Sequence, residues 1–302
     1  MAGKSDRIKA DIVLLIVAAV WGGGFVAQRT GSQHVGFFVF GAGRYLLGVM
    51  AMLPFLRTLK YPRKWLPWSI LTGAVLFGGS ALQQAGIKTT TAGNAAFITG
   101  LYVVIVPIIM AVITRKPAPL VTWVAAGIAV IGTFLLSAGG TMTSLASGDA
   151  LELAGAFLWA CHLILVGKIS SKVNVVHFSL IQYAVACVLN LVFGLIFEFS
   201  TFAGLPDAWM ALAYAGIIST AVGFTGQVWG QRHAPAADAA LILSMEAVFA
   251  ALSGILFLNE SFTLVQTIGC LMIFGAVILA QLWPLMRNSV QTTGIEEVES
   301  KL

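Results

Sequence analysis

Residues 93–114 read GNAAFITGLYVVIVPIIMAVIT, and residues 237–258 read ADAALILSMEAVFAALSGILFL. Neither stretch carries a lysine or arginine, and the only acidic residues are Asp238 and Glu246. A membrane span needs about 20 mainly apolar residues, and both stretches meet that need. Set one above the other at a spacing of 144, they match Ala95 and Ala96 with Ala239 and Ala240, Asn94 with Asp238, and Tyr102 with Glu246. The same register reaches outward to Gln83/Gln227, Gly86/Gly230, Lys88/Arg232 and Leu120–Val121/Leu264–Val265. A second register, at a spacing of 138, pairs Trp21 with Trp159, Phe40 with Phe178, Arg44 with Gln182 and Tyr45 with Tyr183. Two constant spacings that include Trp, Gln and Tyr indicate an internal duplication.

The whole chain has the composition of these two stretches. Of its 302 residues 59% are hydrophobic and only 10% charged, where a soluble chain would carry roughly a quarter charged. That balance excludes a cytosolic enzyme, a nucleic-acid reader and a secreted disulfide scaffold. Long apolar runs give ten candidate spans, near 11–28, 36–57, 66–87, 93–114, 120–138, 149–168, 176–198, 208–230, 237–258 and 263–284. The first follows Lys4, Arg7 and Lys9, as a secretory signal would, but runs on through Trp21 and Phe25 without a convincing cleavage site and is read as a span. Cys161, Cys187 and Cys270 lie far apart inside apolar runs, so they read as packing thiols rather than a disulfide framework or metal site.

The net charge of +5 reports orientation rather than affinity for nucleic acid. With the N-terminus inside, only Arg29 and Lys88 of the 17 basic residues fall in external segments, and Arg44 alone lies within a span. The positive-inside rule therefore places both termini in the cytoplasm. A five-span unit makes an odd number of crossings, so its second copy enters the membrane upside down. Arg115–Lys116, inside, accordingly become Asn259–Glu260 outside, and the basic 57–64 loop becomes a 199–207 connector without Lys or Arg. The expected fold is all-α and integral to the membrane: ten transmembrane helices in two inverted five-helix repeats. The expected organisation is a cytoplasmic segment 1–10, a first repeat 11–138, a second, inverted repeat 149–284 and a disordered cytoplasmic tail 285–302. Inverted repeats commonly hold a substrate at the bilayer midplane, on their interface.

Several stretches carry a family likeness. AAVWGGGF at 18–25, FGAGRYLLG at 40–48, AGNAAFITGLYVVIVPI at 92–108, DAALILSMEAVFAALSGILFLNE at 238–260 and TIGCLMIFGAVILA at 267–280 resemble the EamA-type members of the drug/metabolite transporter superfamily. The likeness covers residues 11–284. It implies a ten-helix carrier with a central cavity lined mainly by spans 1, 3, 4, 6, 8 and 9, and it implies export. It does not imply a substrate.

The residues that could carry chemistry stand out against this apolar ground. Glu246 lies midway along the ninth span, where a carboxylate costs about 2.5–3.5 kcal/mol. It must be protonated, paired, or facing a hydrated cavity, either as an acceptor of a proton or cationic group or as a static partner for Arg44. Tyr102, its repeat partner, suits hydrogen bonding to a substrate or plain aromatic packing. Arg44 could hold a carboxylate bidentately, pair with Glu246, or cap backbone carbonyls as a structural lock. Trp21, Trp159 and His162 are candidates for the cavity wall, with helix packing or a satisfied hydrogen bond as their rival roles. Gln83 and Gln227 fit either cavity lining or interhelical hydrogen bonds, while Asn94 and Asp238 sit where N-caps are expected. Gly22, Gly23 and Gly24, in mid-membrane, mark a bend or gating point, or simple close packing. Pro107 should kink the fourth span; its repeat partner is Ala251, so the two cavity walls should differ.

No GxxxxGK[ST], HExxH or GxSxG motif occurs, so neither an ATP-driven pump nor a membrane enzyme is indicated. The expectation is a secondary-active carrier without cofactor in the cytoplasmic (inner) membrane, a monomer or homodimer embedded in the lipid bilayer. It would export a small metabolite by alternating access, with an amino acid or similar zwitterion as the leading cargo and protons as the candidate coupling ion. The rival cargo is a quaternary amine such as choline, caged by Trp21, Trp159 and Tyr102 around Glu246.

Overall fold

Backbone polar groups have no water to bond with in a bilayer, so an apolar chain of this kind must satisfy them within helices. A computed structural model describes residues 4–57, 60–89, 92–138, 147–258 and 263–299, and no strand occurs among them. The first half holds α1 (Lys4–Gly31), α2 (Phe37–Met52), α3 (Leu66–Gly86), α4 (Ala92–Gly100), α5 (Tyr102–Thr114) and α6 (Leu120–Ala138). The second holds α7 (Ser147–Ile169), α8 (Val175–Phe197), α9 (Trp209–Ala213), a π-helical segment (Tyr214–Phe224), α10 (Thr225–Gly230), α11 (Ala236–Leu243), α12 (Glu246–Leu258) and α13 (Leu264–Glu299). Nine of the described stretches are long and apolar enough to cross a membrane, and Leu120–Leu136 is a shorter apolar helix. This is a multi-pass integral membrane protein.

Outward-facing side chains such as Val112, Leu120, Phe197 and Leu271 are more than 60% exposed, which suits lipid rather than water. Burial is deepest in the middle. The Ala236–Ser253 span has 56% of its residues buried, against 17% for Leu264–Gln281 at the rim. The central core joins Leu14 and Val17 of α1, Val106 of α5, Leu163 of α7 and Leu243 of α11.

Helix boundaries repeat in both registers. α2 begins at Phe37 and α8 at Val175; α4 and α11 begin at Ala92 and Ala236; α5 and α12 begin at Tyr102 and Glu246. The packing repeats as well, with the halves exchanged. α2 lies on α8 and α6 on α13, while α3 packs on α7 as α1 packs on the π-helical segment and α10. Likewise α4 and α5 pack on α7 as α11 and α12 pack on α1.

Three local expectations are revised. The fourth and ninth spans both break, at Leu101 and at Ser244–Met245. The break at Leu101 does not depend on Pro107, which lies inside α5, because the copy with Ala251 breaks at the matching place. The N-cap of α11 is Pro235, and Asp238 lies in the first turn, where its carboxylate takes a 2.7 Å hydrogen bond from Arg7. The side chain of Asn94 lies outside the described residues. Finally, α13 runs on as helix to Glu299, where polar composition suggested a disordered tail. Extending an existing helix avoids the cost of nucleating one.

Candidate functional site

The two helix breaks face each other at the centre of the fold. Each places the first residue of its following helix, Tyr102 of α5 and Glu246 of α12, at the same internal position, and the two side chains meet. The Tyr102 hydroxyl donates to Glu246 Oε1 at 3.0 Å. Residues at equivalent positions can touch only where the halves meet on their common axis, so this contact marks the middle of the duplicated structure.

A cleft with about 540 Å³ between its walls, its mouth included, opens beside this pair. Trp21, Phe25 and Gln28 of α1, Trp159 of α7 and Phe224 of the π-helical segment line it. Gln83, Thr99, Ser219 and Gln227 add polar groups, and Arg44 of α2 adds a cation. On the aromatic side Phe224 stacks on Trp159 at 5.9 Å and meets Trp21 at 4.7 Å, tilted by 51°, ring centre to ring centre. Trp21 is fixed further by its indole N–H, which donates to Ser219 O at 3.2 Å.

The electrostatics of the cleft are uncompensated. Glu246 is 9% exposed and takes its one hydrogen bond from a neutral phenol. Arg44 is 5% exposed; it reaches Thr220 Oγ1 at 3.3 Å and Ser219 Oγ at 3.4 Å, and its guanidinium carbon lies 5.2 Å from the centre of the Tyr45 ring. Among the described residues, no ion pair joins Arg44 to Glu246 or either of them to another charge. The static Arg44–Glu246 pair considered from sequence is therefore absent. One cavity holds a carboxyl group and a guanidinium, neither of them ion-paired among the described residues.

The π-helical segment explains the placement of the Arg44 contacts. Thr220 donates its hydroxyl five residues back, to Ala215 O at 2.7 Å, and the wide turn carries Ser219 and Thr220 toward α2. Such turns are rare and occur often at functional sites.

The other expected residues divide. Gln83 lines the cleft and donates to Thr99 Oγ1 at 3.3 Å; Gln227 lines it and donates to Gln231 Oε1 at 3.0 Å. Gln83 does both jobs that the sequence left open, while the bond from Gln227 stays at the end of its own helix. His162 stands behind the wall, edge-on to Trp159 and Phe224, with Nε2 2.9 Å from Gln182 Oε1. It does not line the cleft. Gly22–Gly24 continue α1 unbroken, and at Gly22 the helix comes against α12 so closely that an added Cβ would sit 2.7 Å from Ala250 N.

Sequence reasoning missed Phe25, Gln28, Thr99, Ser219 and Phe224 on the wall. Thr99 could have been found, since it precedes Tyr102 by one turn on the stretch that decides the fold. Ser219 and Phe224 could not, because their direction depends on the π turn.

The comparisons with known proteins agree with this architecture. Residues 8–138 and again 146–282 match the EamA-like transporter family. An uncharacterized transporter of Archaeoglobus fulgidus is 29% identical over 276 residues, covering 91% of this chain and 87% of its own length. A second uncharacterized transporter of that organism is 26% identical over 289 residues, covering 90% and 96%. A solved crystal structure superposes with a TM-score of 0.77 at 16% identity, over 91% of this chain and 96% of the other, a likeness of fold alone. With the family domain present twice and long relatives named as transporters, the chain is a membrane transporter and belongs to the EamA-like transporter family.

Proposed function

We propose that this protein is a secondary carrier that exports an amino acid or similar zwitterion across the cytoplasmic membrane by alternating access. The observation that carries the reading is the unpaired Arg44 and Glu246 in one aromatic-lined cleft. A zwitterion supplies a carboxylate for the guanidinium and an ammonium for the carboxylate, so each buried charge gains its counter-charge only when cargo is bound. Binding so arranged favours a loaded site over an empty one and rejects solutes with a single charge.

The moving parts in this reading are two inverted five-helix repeats with both termini in the cytoplasm. Support comes from the packing of α2 on α8 and α6 on α13, and from the exchanged contacts around them. It also comes from the 19 residues of α6, which rise about 28 Å and so nearly match the ~30 Å hydrocarbon core as a fifth crossing. Gly22–Gly24, where α1 meets α12, are the gating point in this scheme, and protons are the candidate coupling ion.

The choline reading draws on the Trp21–Phe224–Trp159 cluster, but Arg44 on the same wall opposes a cation without a carboxylate. Thermal-shift measurements on the purified protein with the twenty L-amino acids and with choline separate the two. Stabilisation by one or more amino acids, abolished in Glu246→Gln, is the expected result. Stabilisation by choline alone would overturn the zwitterion reading.

A further inference from the structure

Away from the Tyr102–Glu246 pair, a second carboxylate is shut inside the helices. Glu152 of α7 is 0% exposed. Its Oε2 accepts from the Thr99 hydroxyl at 2.9 Å, and its Oε1 has no hydrogen-bond partner. Gly86 of α3 closes over that oxygen: a Cβ there would lie 2.7 Å from Oε1. Among the described residues no Lys, Arg or His nitrogen comes within ion-pair reach of either oxygen.

The charged and titratable groups on the packed elements do not change this. On α7 itself the near neighbour is Asp149, a like charge one turn earlier. At the end of α3, Lys88 holds its ammonium over the Phe37 ring at 5.5 Å. The titratable group at the start of α5 is Tyr102, which is bonded to Glu246. On α11, Asp238 is bonded to Arg7. The described side chains of α4 offer Thr99 alone as a partner.

A buried carboxylate anion with one hydroxyl donor and an orphan oxygen is costly, whereas the neutral acid leaves only an uncharged group at Oε1 unpaired, a smaller cost. Glu152 is nonetheless not isolated from the cleft. Thr99 lines the cleft and touches Glu152, and Gln83, also on the cleft wall, donates to Thr99 Oγ1 at 3.3 Å. We infer that Glu152 is a proton-carrying site of the transport cycle, distinct from the cargo-binding Glu246 and connected to cavity water through Thr99. The inference rests on the carrier reading above and adds the place where the coupling ion binds. Per cycle, the Glu152 carboxylate takes one proton from cavity water while the cleft faces outward and returns it to water when the cleft faces the cytoplasm. No other bond changes, and one proton enters for each solute exported.

The test uses the purified full chain and two readouts. Infrared pH-difference spectra should show a protonated-carboxyl C=O band that is lost in Glu152→Gln and retained in Glu246→Gln. In proteoliposomes loaded with a mixture of radiolabelled L-amino acids, Glu152→Gln should keep exchange of label across the membrane but lose accumulation driven by an imposed pH gradient. Glu152→Asp, which keeps a titratable group, should restore part of that accumulation and serves as the folding control. A band unchanged in Glu152→Gln, or pH-driven accumulation equal to wild type, would overturn the assignment. Wild-type protein that exchanges no amino acid would overturn the zwitterion reading instead, and the infrared band would still decide Glu152.

Discussion

Arg44 and Glu246 each give up hydration without gaining an opposite charge, and this local imbalance is the strongest functional signal in the protein. It makes a direct prediction for Arg44→Gln. The amide can still reach the Ser219 and Thr220 hydroxyls, so the fold should survive, but on the zwitterion reading the cargo carboxylate would lose its charged donor. Hydrogen bonds to charged groups contribute about 1.5–3 kcal/mol, so amino-acid affinity measured by calorimetric titration should fall roughly 10- to 100-fold. An unchanged affinity would mean that Arg44 only fastens α2 to the π-helical segment. Legibility at this scale follows contrast. Glu246, Arg44 and Tyr102 were readable because polar groups deep in an apolar span need a reason. Glu152 sends the same signal from near the start of its span, where an acidic residue passes for an interfacial one. His162 is intramembrane and titratable too, yet it stands behind the wall with Nε2 on Gln182 and Nδ1 without a hydrogen-bond partner.

The glycines and the ends of the helices govern how closely the elements approach. At Gly22 an added Cβ would meet Phe249 Cβ at 2.6 Å and Glu246 O at 2.8 Å. Two of the three nearest atoms are α12 backbone, so α1 and α12 must part. At Gly24 the nearest atom is Ser219 Oγ at 3.6 Å, an ordinary contact. Gly22→Ala should therefore destabilise by about 1–3 kcal/mol, lowering the Tm, while Gly24→Ala stays near wild type. Equal effects at the two positions would refute the close approach. A second prediction concerns α2, whose N-cap is Gly36 and so has no side chain to offer. Glu198, at the end of α8, supplies the acceptors instead, taking hydrogen bonds from the Phe37, Phe38 and Val39 amides at 3.1, 2.8 and 3.1 Å. Glu198→Ala should cost about 1–2 kcal/mol, seen as a lower Tm, with a smaller loss in Glu198→Gln. The helices themselves were legible because apolar length alone decides them in a bilayer. The π turn and the two breaks were not, since they depend on which neighbour each carbonyl meets and leave no periodicity in the sequence.

Contacts between helix ends link every crossing to the orientation of the whole molecule. Near the start of α1, the Arg7 guanidinium reaches Asp238 at 2.7 Å and Gln281 Oε1 at 3.3 Å, so the beginnings of α1 and α11 share one end with the later part of α13. At the other end, the turn between α1 and α2 meets the connector after α8. Gly36 N donates to Thr201 Oγ1 at 3.0 Å, and Gly204 lies against the His34 backbone. If α1 starts in the cytoplasm, the connector after α8 is external only when an odd number of crossings separates it from that start. The proposed topology meets this with α6 spanning the membrane and the second half entering inverted. The repeat spacings and the charge of the loops point the same way from sequence; what the sequence could not supply is the pairing of ends. The topology is tested with single cysteines in a background lacking Cys161, Cys187 and Cys270. Lys60→Cys should react with a membrane-impermeant maleimide only after the cytoplasmic face is exposed, and Ser200→Cys should react in intact cells. Ser200 suits this better than Gly204, where a side chain would collide with the His34 carbonyl. Labelling of both cysteines from one face would leave α6 short of a crossing and make the halves parallel, which would overturn the inverted-repeat reading.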